Sequence, residues 1–221
     1  MPEEIKVTGM VLSAAPSMEY DRRIVLLSRE KGKITVFAHG ARKPTSRFLA
    51  ATAPLSFGRF TLYAGRTAYT LRETEITNYF RELKKDFRGM CYGSYFLEAA
   101  DYFSGENLDA TDLLHLLYVS LLALSDPRLE NELVRSIFEM KAMLIDGVYP
   151  YEAAEDPSLR ESTRYALSYV MQAPIRRLYS FTLKPEILDE FRSVQERMMK
   201  EHVGHEFRSM GIIRSLLQGG L

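Results

Sequence analysis

The chain has 221 residues, enough for one large domain or two small ones, and 46% hydrophobic with 26% charged residues is ordinary for a packed globular protein. Its 29 basic and 29 acidic side chains cancel, so net charge alone identifies no partner. One cysteine, Cys91, excludes an intrachain disulfide and a cysteine-built zinc cluster. The charged opening Met1–Thr8 lacks the apolar core of a signal peptide. Leu113–Leu124, the most apolar run, is too short to span a bilayer, so a cytoplasmic protein is expected.

The first 77 or so residues read as strands. Val7–Ser13, Arg22–Ser28 and Ile34–Ala38 are short β-rich runs, the last two joined by the turn Glu30-Lys31-Gly32-Lys33. After a loop come Pro54–Ala64 and Thr67–Thr77, a second hairpin in which Gly65 can supply a positive φ. Five short strands at this spacing predict a small barrel or sandwich.

Beyond Phe80 the apolar period becomes helical. Asp86–Phe103 is followed by Asp109–Leu124, with Asp109 or Thr111 as its cap. Pro127–Ile145 then aligns Leu129, Leu133, Ile137, Met140 and Leu144, and Gly147 and Pro150 end it. Pro150–Leu159 reads as a loop. Ser158–Gln172, Pro185–Glu201 and Ser209–Leu217 complete an all-α region with no internal repeat.

Charge is unevenly distributed. Between Tyr20 and Arg72 eleven basic residues face only Asp21 and Glu30, so this stretch carries +9 and the remainder −9. That asymmetry suits a polyanion partner, or else a solvated basic face. His39 to Phe48 concentrates Arg42, Lys43 and Arg47 beside Thr45 and Ser46, a loop chemistry that suits phosphate contacts. Phe48 is either a platform for an unpaired base or a plug for the barrel end. Alternation places Arg59, Thr61 and Tyr63 on one strand face and Phe60 and Leu62 on the other, leaving a cation and an aromatic ring on an exposed stripe.

Catalytic signals are missing. No Gly-x-Ser-x-Gly, P-loop or dinucleotide fingerprint occurs, and Cys91 lies within an apolar helical pattern. A hydrolase with an unrecognised carboxylate pair has no spacing signal behind it. His202 and His205 could face one way on a helix, but no third ligand stands at a useful spacing, so no metal and no cofactor are expected.

Four segments, in order along almost the whole chain, resemble RecO proteins. They are Gly9–Leu12 followed by Tyr20–Ile34; His39–Pro44 through Arg47-Phe48 to Pro54; Phe138–Leu144 followed by Gly147 and Pro150; and Glu201–His205 through Leu216. The resemblance implies an α+β chain: a five-stranded OB-fold barrel over residues 1–80 and an all-α domain over 81–221. It implies no enzyme, but a recombination mediator in DNA repair. Such a protein binds single- and double-stranded DNA, anneals strands, and with RecR helps load RecA onto strands coated by single-stranded-DNA-binding protein (SSB), with RecF a further candidate partner. The expected DNA-binding residues are Arg22, Arg23, Arg42, Lys43, Arg47, Phe48, Arg59, Tyr63 and Arg66. The SSB tail is expected on the helical domain at Arg135, Ile137, Phe138, Lys141 and Leu144. Many relatives carry a four-cysteine zinc module after the position of Gly147–Pro150. This chain has no cysteine there, so residues 150–175 are expected to be held by packing. The alternative is an OB-fold module that binds RNA or protein without mediator activity.

Overall fold

The computed structural model describes residues 3–219, and these fall into two compact units. One runs through Arg81 and takes in Ala100–Leu114; the other comprises Glu82–Ala99 and the chain from His115 onward.

The first unit is built on five strands: β1 (Glu4–Ser17), β2 (Asp21–Ser28), β3 (Gly32–Ala38), β4 (Phe57–Ala64) and β5 (Tyr69–Asn78). They close in the order β1-β2-β3-β5-β4, antiparallel except for the parallel β3–β5 pair, which is the OB-fold barrel the sequence predicts. β1 closes it by pairing with both β2 and β4. Alternation fills the interior: Val7, Val11, Ile24, Leu26, Ile34, Val36, Phe60, Leu62 and Leu71 form one buried cluster. A four-residue helix, α1 (Phe48–Ala51), lies in the expected loop, and β4 starts at Phe57 rather than Pro54. The positive φ expected at Gly65 occurs at Gly32 of the other hairpin (φ +62); Gly65 instead lets its backbone approach the Ala68 carbonyl.

Residues 100–114 belong with the barrel, not with the helical unit as the sequence reading places them. The cause is polar. Lys33 donates to the Asp101 carbonyl at 2.7 Å and pairs with its carboxylate at 3.2 Å, while Glu106 bridges to Gly32 and Lys33.

The remaining helices are α2 (Phe87–Phe103), α3 (Thr111–Ala123), α4 (Asn131–Asp146), α5 (Glu161–Gln172), α6 (Pro185–Met198) and α7 (Arg208–Gly219). Asp109 caps α3 by accepting the Thr111 N–H at 2.9 Å. Gly147, at φ 78°, stops α4. α6 runs into one π turn, Met199–Val203, which Gly204 ends at φ 64°. Within the second unit, α4 packs against α5 and α6, and Phe96 stacks on Phe138 with ring centroids 4.2 Å apart. Among the described residues no helix is long and apolar enough to cross a membrane.

Candidate nucleic-acid interface

The basic loop between β3 and β4 is a chain of tight turns fixed to the β1–β2 turn. Asp21 anchors it: one carboxylate oxygen accepts the Gly40 N–H at 2.8 Å and the other meets His39 Nδ1 at 2.6 Å. These bonds, the Gly40 amide first and His39 second, hold the Asp21 carboxyl below its ordinary value. The Arg42 N–H donates to the Tyr20 carbonyl at 2.9 Å, and its guanidinium to the Glu19 carbonyl at 3.1 Å. Lys43 lies 5.5 Å over the Tyr20 ring. Arg42 and Lys43 are exposed, so backbone bonds fix the loop while the charges stay in water.

Other expected residues divide by role. Arg22 is half-buried and serves the loop itself, its guanidinium donating to the Leu49 carbonyl at 3.0 Å and to Thr52 Oγ1 at 2.8 Å. Phe48 is partly buried against the barrel core, as the plug reading expects, and Arg47 lies over its ring at 4.8 Å. Arg47 also donates to the Arg72 carbonyl at 3.0 Å, and the Arg72 guanidinium lies 5.8 Å over Tyr63. Arg47, Phe48, Tyr63 and Arg72 thus form one cationic-aromatic group. Arg23 is exposed on β2, cross-strand from Phe37, and bonds Thr35 Oγ1 at 3.3 Å.

Arg59 does not join them. It pairs with Glu75 at 3.4 Å, next to Glu73 on β5. Thr61, expected on an exposed stripe, is buried. The outer face of β4 and β5 therefore sets Arg59 among carboxylates, and Arg66 is exposed in their connecting turn. Tyr20, Phe37 and Arg72, which the sequence does not single out, lie beside these residues. Alternation could have found Phe37, because Ile34, Val36 and Ala38 point inward and Lys33, Thr35 and Phe37 must then point out.

The groove expected on the helical domain requires correction. Arg135 is 2% exposed, with its guanidinium bonded to Glu132 at 2.8 Å, Glu139 at 3.2 Å and Glu196 at 2.8 Å. Ile137 and Phe138 are fully buried. The Lys141 ammonium donates to three carbonyls, of Val170, Met171 and Ala173, at 2.9–3.0 Å, and so caps the end of α5. Lys141 and Leu144 are partly exposed. Arg135, Ile137 and Phe138 are interior, so Arg135 belongs to a buried ion network and not to the lip of a groove, while Lys141 is committed to the end of α5. Among the described residues no group of three His, Cys, Asp or Glu side chains is placed to hold a metal ion, and the segment after Gly147 lacks the donor set of a zinc module.

A closed five-stranded barrel with a basic, aromatic-flanked loop, in a chain that also holds a helical unit, defines a member of the OB-fold class. The family model for Recombination protein O N terminal matches residues 1–80. The DNA repair protein RecO of Acetivibrio thermocellus is 26% identical over 96% of this chain and 97% of its own length. Those of Alkaliphilus metalliredigens and Symbiobacterium thermophilum are 33% and 36% identical over 66% and 67% of the chain, covering 60% and 58% of their own lengths. The chain belongs to the RecO family, whose setting is DNA repair and recombination.

Proposed function

We propose that this protein is a recombination mediator that binds single- and double-stranded DNA through its barrel, anneals complementary strands, and helps RecR load RecA onto SSB-coated single strands. RecF is a further partner in this reading, and the C-terminal tail of SSB docks on the helical unit away from the buried α4 face. The protein binds and positions; no residue is assigned a chemical step. The observation that carries the DNA-binding half is the loop at 39–47, whose backbone is fixed by Asp21 and Tyr20 while Arg42, Lys43 and Arg47 stay exposed. A preformed loop loses little entropy on meeting a phosphate backbone. Arg23 and Arg72 extend the same chemistry, whereas Arg59 is spent on Glu75.

The test replaces Arg42, Lys43 and Arg47 together with alanine. Each single-strand phosphate contact adds about 0.7 to the slope of log affinity against log salt, so losing three should lower the slope by about 2. Annealing of complementary SSB-coated strands should fall with it. Unchanged affinity and slope would remove the loop from the interface, and wild-type protein that fails to anneal coated strands would sink the mediator reading.

A further inference from the structure

The helical unit holds a second surface with the chemistry of a single-strand site. α5 and the segment after it enclose a cavity of about 560 Å³, lined by Tyr165, Tyr169, Phe181, Leu183 and the hydroxyl-bearing Ser180 and Thr182. Tyr165 and Tyr169 are four residues apart, so they stand one above the other on a single helix face. Tyr165 is 74% exposed, an unusual position for a large ring that no neighbour covers. Tyr169 is fixed: its ring meets Phe181 edge-on at 5.3 Å, and its hydroxyl donates to the Arg177 carbonyl at 3.1 Å.

Charge indicates the occupant. Residues 162–184 contain Arg164, Arg176, Arg177 and Lys184 and not one aspartate or glutamate, in a chain whose remainder outside the Tyr20–Arg72 stretch carries −9. Glu161, at the groove's edge, is its one acidic lining residue. Arg176, Arg177 and Lys184 are exposed, and Arg177 is tied to the groove wall through its own carbonyl. An exposed aromatic face with cations in the adjoining chain supplies the two elements of sequence-tolerant binding to unpaired strands. An acidic peptide would use the cations, but would cover the exposed tyrosine face only where it carries an aromatic side chain.

We propose that this groove is a second nucleic-acid site, taking one or two unpaired bases against Tyr165 with the flanking phosphates on Arg176, Arg177 and Lys184. It stands on the helical unit alone and does not depend on the barrel reading.

The experiment uses the full chain and a single-stranded oligonucleotide substituted with 5-iododeoxyuridine, which cross-links on irradiation to rings stacked on it. Peptide mapping should find cross-links at Tyr165. In the background of the Arg42, Lys43 and Arg47 alanine substitutions, Tyr165→Ala should lower residual single-strand affinity about fivefold or more, the low end for one stacked base, and Tyr165→Phe should restore it. Arg176→Ala with Arg177→Ala should reduce the salt slope by about 1. Cross-links confined to the barrel, with Tyr165→Ala indistinguishable from its parent, would overturn the proposal and assign the groove to a protein partner. Cross-links confined to Tyr165 would instead count against the barrel loop, so the two readings fail separately.

Discussion

Replacing Arg135 with methionine keeps most of the side-chain volume of α4 and removes one charge from the centre of the helical unit. Three carboxylates lose their partner, but not equally. Glu196 is 55% exposed and is rehydrated at little cost, as surface pairs commonly are. Glu132 and Glu139 are 11% and 2% exposed at the side chain. Glu132 keeps the Tyr92 hydroxyl at 2.5 Å and Arg192 at 3.9 Å, whereas Glu139 keeps only the Tyr95 hydroxyl at 2.7 Å. Stranding a buried charge costs about 3–5 kcal/mol, and these surviving contacts put the expected loss near the lower end, about 3 kcal/mol at pH 7.5. The pH dependence has a sign of its own. Burial opposes the charge of Glu132, but Arg135 and Tyr92 outweigh it and hold the carboxyl below its ordinary value, so its stabilisation exists above the unfolded pKa and is lost as pH falls through the folded one. Without Arg135 both carboxyls shift upward, so the variant should gain stability on acidification toward pH 5.5. Urea unfolding followed by far-UV circular dichroism at pH 7.5 and 5.5 measures both effects. A loss below about 1 kcal/mol, or one that does not shrink at the lower pH, would refute this account of the network.

Arg22→Ala should cost about 1–3 kcal/mol, because two bonds that hold α1 and the loop are lost, and it should weaken DNA binding through misplacement of the loop. Arg42→Ala should weaken DNA binding with unchanged thermal stability, and equal stability losses in the two variants would contradict these separate roles. Lys141→Met leaves three carbonyls at the end of α5 without their donor and should lower stability by about 2–3 kcal/mol in a thermal melt. Asp21 has a depressed carboxyl pKa, so its hold on the loop is present above the unfolded carboxylate pKa and lost as pH falls through the folded value. Hydrogen exchange at the Gly40 amide should accelerate over that acid range in the native protein and be insensitive to it in Asp21→Asn.

The barrel was legible because its strands alternate: Ile24, Leu26, Ile34 and Val36 mark the interior without any knowledge of neighbours. Charge was legible by stretch and not by residue. Nothing local distinguishes Arg42, which projects from a turn, from Arg59, which lies opposite Glu75 on a strand sixteen residues away. Phe48 belonged to a short helix that strand propensity could not anticipate, and that helix turned its ring toward the core. The largest error fell on α4. Arg135 with Glu132 and Glu139 at three- and four-residue spacing has the pattern of a solvated helix face. Burial followed only from the arrival of α6 with Glu196 and of the α2 tyrosines, contacts forty to sixty residues away along the chain. Hydrophobic pattern shows which face is apolar, but it does not show which polar face will be covered.

The segment after α4 raises a question of replacement. Where a zinc module would cross-link the chain, Val148 bonds back to Met143, Tyr149 turns inward at 4% exposure, and a one-turn helix at Tyr151–Ala154 buries Ala153 and Ala154. Asp156 then closes the next turn by accepting from the Ser158 N–H at 2.9 Å and its hydroxyl at 2.6 Å, and Arg197 of α6 approaches it at 3.7 Å. Packing of one large ring does most of this, so Tyr149→Ala should cost about 3–5 kcal/mol. The ring and not the hydroxyl is what counts. The Tyr149 hydroxyl is buried with no hydrogen-bond partner, and burial pushes its pKa up. Tyr149→Phe removes an unsatisfied polar group and should be neutral or stabilising by up to about 1 kcal/mol. Prolonged treatment with a chelator should leave the melting temperature where it was. A chelator-dependent fall, or a Tyr149→Phe variant as damaged as Tyr149→Ala, would mean that something other than the buried ring holds this segment.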